Sequence, residues 1–196
     1  MAFLVLEGFS GTGKTTLARH LEEQGWLRLQ ESAHALPDHV PVADQGDTYS
    51  DYSLLGTTLA YSSAISMLRE TRDMVSEGYL LSDLAYAKIR FELKKSTAYP
   101  AMLTVCREVL KNPRIRPDLY IILEARHSTL HNRQVGKKER GRRMAELFRV
   151  RYYTALAEIH KDLSELNVEK AYTDSDSRVT LKAVLALMKK RNVFKQ

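Results

Sequence analysis

The sequence has little cysteine and no long hydrophobic run. Cys106 is the single cysteine among 196 residues, which excludes an intramolecular disulfide, and its apolar neighbours at helical spacing predict a core position. No apolar stretch approaches the roughly 20 residues that a membrane-spanning helix needs, so we expect no membrane partner. Because no basic region or cleavage site precedes the first apolar residues, no signal peptide is predicted and a cytoplasmic location is expected.

Repeats, low-complexity segments and Gly/Ser-rich linkers are also missing from the sequence. A chain of 196 residues suits one well-cored domain better than two, so residues 1–196 are predicted to form a single domain. The formal net charge of +6 favours an anionic partner, and a polyphosphate satisfies it as well as a nucleic acid does. We find no platform of aromatic and basic side chains that would bind a nucleic-acid strand. We therefore expect a small-molecule partner rather than a nucleic acid.

One segment, residues 8–15, fits the pattern G-x-x-x-x-G-K-[ST]. An apolar, β-favouring segment precedes it, and Leu17, Ala18 and Leu21 share one face of the predicted helix that follows. A strand, a glycine-rich turn and a helix start form the context that a phosphate-binding loop (P-loop) requires. The alternative interpretation is an ordinary glycine-rich turn between a strand and a helix. The combined context predicts a P-loop.

In a P-loop, the backbone N–H groups and the helix N-terminus point at phosphate oxygens. Lys14 then reaches the β- and γ-phosphates, and the Thr15 hydroxyl binds Mg²⁺. ATP and Mg²⁺ are therefore the predicted cofactors. The predicted nucleotide-binding residues are those of the loop and of the first helical positions: Gly8, Ser10, Gly11, Thr12, Gly13, Lys14, Thr15 and Thr16.

Strand-like segments alternate with helical segments along the chain. The predicted strands cover 2–6, 26–30, 79–82, 118–124 and 170–172. A long polar loop is predicted at 34–51, followed by a helix at 52–77 that ends at Gly78. This alternation predicts an α/β protein with a doubly wound, five-stranded parallel sheet flanked by helices.

Two carboxylates, Glu31 and Asp83, follow predicted strands at the edge of the sheet where ligands bind and where Lys14 also lies. Phosphoryl transfer needs a held metal ion and an oriented nucleophile. We predict that Asp83 joins Thr15 at the Mg²⁺ ion and that Glu31 is the general base for an acceptor hydroxyl. The alternatives are a helix cap for Asp83 and a solvent-exposed or surface-paired side chain for Glu31.

Residues 126–151 are densely basic. The segment follows a predicted strand and lies between two helical stretches, where a lid over the phosphates would have to be. We predict an Arg-rich lid at about 126–145 whose arginines complete the catalytic set: Arg133, Arg140, Arg142 and Arg143. The alternative is a solvated surface, which is the usual role of a run of charges.

These segments together resemble the P-loop nucleoside and nucleotide kinases, most closely the thymidylate-kinase-like group. Residues 4–16 are similar to the opening strand and phosphate loop of that group, and 117–124 to the strand before its lid. Glu31 falls where the group has an acidic residue after the second strand, and 77–83 resembles the strand that leads to its Asp-Arg-Tyr motif. The resemblance implies an ATP-dependent kinase that transfers the γ-phosphate to a small nucleoside- or nucleotide-like acceptor.

The sequence departs from that group at two positions that hold an acceptor phosphate. Leu84 stands where the Arg of Asp-Arg-Tyr is expected, and Ser62 where a second Arg is expected on the preceding helix. Without these two guanidinium groups, bidentate recognition of a phosphate is lost. The alternative is that another cation replaces them: Arg69, Arg72, Lys88 or Arg90. A nucleoside, a modified nucleotide and another small alcohol therefore remain open as the acceptor.

Other functions are compatible with the same motifs. The nearest is a small-molecule kinase outside nucleotide metabolism, which phosphorylates an antibiotic or a vitamin-like riboside. A polynucleotide kinase and a nucleotide-dependent switch are weaker alternatives, because the sequence has neither a strand-binding platform nor a marked partner surface. A homodimer is left open.

Overall fold

The computed structural model describes residues 1–41, 45–133 and 139–193, and of residues 131 and 139–147 it describes the backbone alone. Five strands form one sheet in the order β2-β3-β1-β4-β5. The strands are β1 (Phe3–Glu7), β2 (Leu27–Leu29), β3 (Met74–Glu77), β4 (Leu119–Glu124) and β5 (Val168–Tyr172). The α-helices within the described residues are α1 (Lys14–Glu22), α2 (Thr48–Leu68), α3 (Leu80–Glu92), α4 (Tyr99–Leu110), α5 (His127–Arg133), α6 (Glu139–Asp162) and α7 (Ser177–Lys190).

The predicted α/β architecture, a doubly wound five-stranded parallel sheet, is confirmed. All four strand pairs are parallel, so the carboxyl ends of the strands lie at one edge. Central strand β1 buries Phe3 and Val5 against a core built with α3, α4 and α6, and buries Leu4 and Leu6 against a core built with α1 and α7. The segment that follows β1 therefore starts from the most firmly packed strand of the molecule.

The third strand differs from the prediction of 79–82, which is wrong. Helix α2 ends at Leu68, and β3 occupies Met74–Glu77, inside the segment predicted as the end of a long helix. Residues 80–82 instead open α3, where Leu80, Leu81 and Leu84 are all buried. A short apolar run that is buried on every side has no periodicity that separates strand from helix. Asp83 therefore lies in the first turn of a helix, and Glu77 takes the place at the strand end.

Helix α2 begins inside the segment predicted as a polar loop. Asp47 accepts a hydrogen bond from the backbone N–H of Ser50 at 2.9 Å, and Ser50 Oγ accepts one from the N–H of Asp47 at 3.2 Å. This reciprocal capping box starts the helix at Thr48. Asp51 consequently lies in the helix, where it is completely buried.

The predicted lid at about 126–145 includes α5 and the start of α6. Residues 134–138 lie outside the described residues, and α5 ends at Arg133. The remaining lid arginines belong to α6, but their side chains are outside the description: Arg140, Arg142 and Arg143. The Arg-rich lid therefore stays a prediction.

Cys106 lies in α4 and is completely buried, which confirms the predicted core position. Burial raises the pKa of its thiol well above the usual value. Because the thiolate is the reactive form, this thiol is chemically inert in the folded protein. Across the described part of the chain, no helix combines the length and the apolar character that crossing a bilayer requires.

Candidate active site

The P-loop connects the end of β1 to the start of α1. Gly8 has a φ of +149°, and a Cβ at this position would lie 2.7 Å from the carbonyl oxygen of Leu123 in β4. Only glycine fits there without displacing the neighbouring strand. Within the loop, the buried Thr12 donates its hydroxyl to the carbonyl oxygen of Phe9 at 2.8 Å. The loop is thus held by its own side chain as well as by the sheet.

Lys14 is the first residue of α1. Its Nζ donates a hydrogen bond to the carbonyl oxygen of Gly8 at 2.6 Å, which places the ammonium group over the loop. No side chain caps the N-terminus of α1, so the first N–H groups of the helix face the same space as Lys14. A cavity of about 480 Å³, here called the P-loop cavity, opens there. Its lining includes every predicted nucleotide-binding residue except Gly8: Ser10, Gly11, Thr12, Gly13, Lys14, Thr15 and Thr16.

Arg133 joins the end of α5 to the P-loop. Its Nη1 donates to the carbonyl oxygen of Gly11 at 3.1 Å, and its Nη2 donates to the carbonyl oxygen of Thr173 at 2.6 Å. Arg133 is the one predicted lid arginine whose side chain is described, and it lines the P-loop cavity. Beyond it, the cavity is lined by hydroxyls from the segment after β5 and from α7: Thr173, Ser175, Ser177 and Thr180.

Glu77, which the sequence did not single out, ends β3 beside the P-loop. The Thr15 hydroxyl donates to one carboxylate oxygen of Glu77, and Arg28 Nε on β2 donates to the other at 2.6 Å. Glu77 is buried and lines the P-loop cavity. The sequence contains a signal for Glu77, because it is a carboxylate at the end of a short apolar segment. The helical pattern predicted over 52–77 hides that segment.

Thr15 and Glu77 together fit a magnesium ion better than Asp83 does. A hydroxyl and a carboxylate are hard oxygen ligands, and Mg²⁺ commonly takes only one or two protein ligands, with phosphates and water completing its shell. Among the described residues no group of three or more His, Cys, Asp or Glu side chains is placed to hold a metal ion. Asp83 does not line the P-loop cavity. The structure brings the predicted metal ligand Thr15 to Glu77, and it does not bring Thr15 to Asp83.

A second, smaller cavity of about 100 Å³ lies further inside, between α2 and α3. This inner pocket is lined by Glu31, Ala33, Leu36, Pro41, Ser50, Leu54, Asp83, Tyr86 and Arg90. Asp83 is buried there and accepts a hydrogen bond from the Thr58 hydroxyl at 2.6 Å. Burial raises the pKa of Asp83 well above its usual value, and the carboxyl groups of Glu7 and Glu31 add to the rise against the hydrogen bond from Thr58.

A buried ion pair forms the inner wall of this pocket. Arg90 Nε of α3 donates to Asp51 Oδ1 of α2 at 2.9 Å, and both side chains are almost completely buried. The second oxygen, Oδ2 of Asp51, has no hydrogen-bond partner among the described residues. The pair fixes α3 to α2 and places a guanidinium group at the pocket wall.

Glu31 lies where the two cavities meet. It is half-buried and directly precedes a 3₁₀ turn (Ser32–Ala35) after β2. Glu31 and Tyr86 line both the P-loop cavity and the inner pocket. The predicted general base is therefore close to both cavities, whereas Asp83 contacts only the inner one.

The two positions at which the sequence departs from the kinase motif, Ser62 and Leu84, lie inside helices α2 and α3. The residue that directly follows the end of β3 is Gly78. Gly78 has a φ of +79°, and a Cβ on it would lie 3.1 Å from Ser82 Oγ, so a large side chain is disfavoured. Ser62 is buried, with its Oγ 2.5 Å from Tyr79 Oη. Neither position supplies a guanidinium group.

Comparisons with known proteins agree with this architecture. The sequence matches no protein-family model and no curated protein. The structure has the fold of the nucleoside and nucleotide kinases, and the thymidylate-kinase-like fold predicted from the sequence is confirmed.

Two solved enzymes illustrate the likeness. Thymidylate kinase from Candida albicans superposes with a TM-score of 0.71 at 14% identity, over 98% of this chain and 92% of that one. Deoxyadenosine kinase from M. mycoides with bound dATP superposes with a TM-score of 0.67 at 17% identity, over 96% of this chain and 100% of that one. The same enzyme with bound dCTP gives a TM-score of 0.62 at 17% identity.

Proposed function

We propose that the chain is an ATP-dependent phosphotransferase that moves the γ-phosphate to a hydroxyl of a small, nucleoside-like acceptor. The observation that carries the proposal is that Glu31 lines both the P-loop cavity and the inner pocket. A donor phosphate at one side and an acceptor hydroxyl at the other would meet beside a group able to accept a proton. Of the two solved enzymes with this fold, the deoxyadenosine kinase is named for a nucleoside and the thymidylate kinase for a nucleoside monophosphate.

The P-loop side supplies the groups that a nucleoside triphosphate needs. Backbone N–H groups at the start of α1 and the Lys14 ammonium group would bind the phosphates. Thr15 and Glu77 would hold Mg²⁺, which when bound neutralises charge on the phosphate oxygens. Arg133 already contacts the loop and is placed to add positive charge. We propose the same role for Arg140, Arg142 and Arg143, on the grounds of their sequence position in the predicted lid.

The inner pocket supports an acceptor without a phosphate group. Its lining carries two carboxyl groups, Glu31 and Asp83, and among the described lining residues the one cation is Arg90. That guanidinium group is already paired with Asp51. A phosphate dianion would meet two acids and no available bidentate donor, which costs affinity. We therefore favour a nucleoside over a nucleoside monophosphate.

The two carboxyl groups of the pocket receive different roles. Glu31, between the cavities, is the proposed general base or orienting group for the acceptor hydroxyl. Asp83 was predicted to bind Mg²⁺, but its position in the inner pocket supports contact with the acceptor instead. Because burial favours its protonated form, Asp83 can donate as well as accept a hydrogen bond.

The direct test measures ADP release with ATP, Mg²⁺ and one acceptor at a time. The panel pairs each nucleoside with its own 5′-monophosphate and adds small alcohols and vitamin-like ribosides. We expect turnover with at least one nucleoside and a much lower kcat/KM for its monophosphate. Preference for a monophosphate would contradict the acceptor assignment. ATP hydrolysis that no acceptor stimulates would favour the nucleotide-dependent switch instead.

A kinase outside nucleotide metabolism is the second candidate. It rests on the small volume of the inner pocket, about 100 Å³, which is modest for a whole nucleoside. Turnover of a small alcohol or an antibiotic in the same panel, without turnover of any nucleoside, would support it.

A further inference from the structure

Glu7 is a buried carboxyl group to which the proposed reaction assigns no part. It is the last residue of β1, directly before Gly8, and is completely buried. One oxygen accepts the backbone N–H of Tyr79 at 3.1 Å. The other accepts the Ser82 hydroxyl and the Tyr152 hydroxyl, the latter at 3.3 Å. One carboxyl group thus connects the strand that carries the P-loop to the start of α3 and to α6.

Two adjacent tyrosines of α6 contact the base of the P-loop at different atoms. Tyr152 contacts Glu7, and Ser82 Oγ lies 3.0 Å from the same tyrosine hydroxyl. Tyr153 instead donates to the carbonyl oxygen of Leu123 at 2.8 Å and accepts the N–H of Phe9 at 3.4 Å. Helix α6 therefore has one contact that involves Glu7 and one that does not.

The charge on Glu7 is balanced between opposing influences. Burial raises its pKa to about 7, while the Ser82 hydroxyl, the Lys14 charge and the Tyr79 N–H lower it. The titratable groups that act on Glu7 come from five parts of the chain: Lys14 of α1, Glu31 after β2, Asp83 and Tyr86 of α3, Tyr120 of β4 and Tyr152 of α6. Burial raises the pKa of the three tyrosines in this set, so at neutral pH their charge does not change.

We propose that Glu7 is a positioning residue that takes up a proton from solvent when nucleotide phosphates bind at Lys14. This protonation changes the hydrogen bonds of Glu7 to α3 and α6 and so couples nucleotide binding to both helices. The phosphates neutralise the cation that favours ionised Glu7 and add negative charge nearby, and both changes favour the protonated form. The inference rests on the proposed function in one respect: a nucleotide must bind at the P-loop.

Protonation changes which groups around Glu7 can donate. The ionised carboxylate accepts from three donors, whereas the protonated group also has an O–H that needs an acceptor. Either Ser82 or Tyr152 must then turn from donor to acceptor. Because the Ser82 hydroxyl belongs to α3 and the Tyr152 hydroxyl to α6, the exchange occurs where α3 meets α6. By linkage, nucleotide affinity falls as the pH rises through 7.

The test compares proton uptake by the wild type and by Glu7→Gln. The probe is Mg·ADP, titrated calorimetrically at pH 7.0 in PIPES and in imidazole, whose ionisation enthalpies differ. Because the pKa of Glu7 is raised to about 7, we expect the wild type to take up a measurable fraction of a proton more than the variant. Protons exchanged by ADP itself cancel in the difference. If the wild type and Glu7→Gln both bind ADP and take up equal amounts of protons, the inference about Glu7 is overturned and the proposed function is not. If neither protein binds ADP, the proposed function is overturned as well.

A matched pair of variants on α6 tests the contact to Tyr152. Tyr152→Phe removes a donor to ionised Glu7, so the pH of maximal uptake should rise, whereas Tyr153→Phe should leave it unchanged. An equal shift in both variants would overturn the assigned contact.

Stability supplies a readout that separates charge from packing. The folded-state pKa of Glu7 is raised to about 7, so the wild type loses stability relative to Glu7→Gln as the pH rises from about 4.5 to 7. Urea midpoints at pH 5 and pH 8 measure this difference. We expect the variant to gain relative to the wild type at pH 8 while losing the proton uptake. A variant that is destabilised equally at both pH values would reduce Glu7 to a packing role and overturn the inference.

Discussion

The P-loop cavity and the inner pocket meet at Glu31 and Tyr86 but are built in different ways. One continuous segment, 10–17, forms much of the larger cavity, and its backbone N–H groups and partly exposed side chains face the open space. The inner pocket is assembled from three separate parts of the chain, which contribute Glu31, Ser50 and Arg90 among others. Its polar groups are mostly buried, and they hold α2 against α3.

From this difference we expect that substitutions in the P-loop cavity can affect binding without affecting stability. In the inner pocket, the same substitution should affect both. The partly exposed side chains of the P-loop cavity, such as Lys14 and Thr16, can be removed without opening the core. Polar groups of the inner pocket stabilise the helix contact that forms the pocket, so removing one leaves its buried partner without compensation. Substitutions on the two sides should therefore divide differently between turnover and folding.

The largest expected effect is on turnover, in Lys14→Ala. Charge stabilisation of a transferring phosphoryl group is worth several kcal/mol, so kcat should fall about 10³-fold in the ADP-release assay. Because the Lys14 ammonium group donates to a loop carbonyl oxygen, that of Gly8, and does not pack in the core, the melting temperature without nucleotide should barely change. Retention of more than about a tenth of wild-type turnover would contradict the role of Lys14.

Whereas Lys14→Ala should lower the turnover of the protein, Asp51→Ala should lower its stability. It removes the carboxylate that accepts from Arg90 in the core, and breaking a buried pair costs about 3–5 kcal/mol. The free energy of unfolding, from urea denaturation, measures the loss. Asp47→Ala is the matched control, because the same helix then loses only an exposed cap and should be destabilised much less. If both variants lose equally little, the inner pocket does not depend on this pair.

Glu31 stands between the two sides, and Glu31→Gln should affect kcat alone. A general base in phosphoryl transfer contributes modestly, and we expect about a 10²-fold fall in kcat. The KM for ATP should stay near the wild-type value, because Glu31 reaches the cavity only at its inner wall. A raised KM for ATP with normal kcat would place Glu31 among the donor-binding groups instead.

The smallest effect concerns the metal ion. Glu77→Gln should raise the Mg²⁺ concentration for half-maximal rate about tenfold, because the amide removes the charge beside Thr15. Asp83→Asn should leave that concentration unchanged. If Asp83→Asn instead raises the required Mg²⁺ concentration and Glu77→Gln does not, Asp83 binds Mg²⁺ as first predicted, and the metal site extends into the inner pocket.

The P-loop could be predicted from the sequence because its chemistry is local. Eight consecutive residues carry the pattern, and the strand before it and the helix after it are each amphipathic or apolar enough to be recognised. Parallel topology then followed from the alternation of elements, and Glu31 was found because it follows a strand. These predictions use only neighbours in the chain.

The rest of the site depends on contacts between distant segments. Glu77 was missed because the four residues of β3 are too short to interrupt the apparent period of α2. The pairing of Asp51 with Arg90 joins residues 39 positions apart, and Glu7 meets Tyr152 across 145 positions. Nothing in either local sequence indicates that such carboxyl groups will be buried, because burial is decided when the helices pack on the sheet.

The burial of Cys106 has a practical consequence for site-specific labelling of the protein in solution. Its thiol is buried and its pKa is raised, so maleimide dyes should not react with the folded wild-type protein. A cysteine introduced at the exposed Asn132 of α5 would then be the single labelled position, and the native Cys106 would not have to be removed first. In the unaltered chain, the appearance of dye at Cys106 would report unfolding directly.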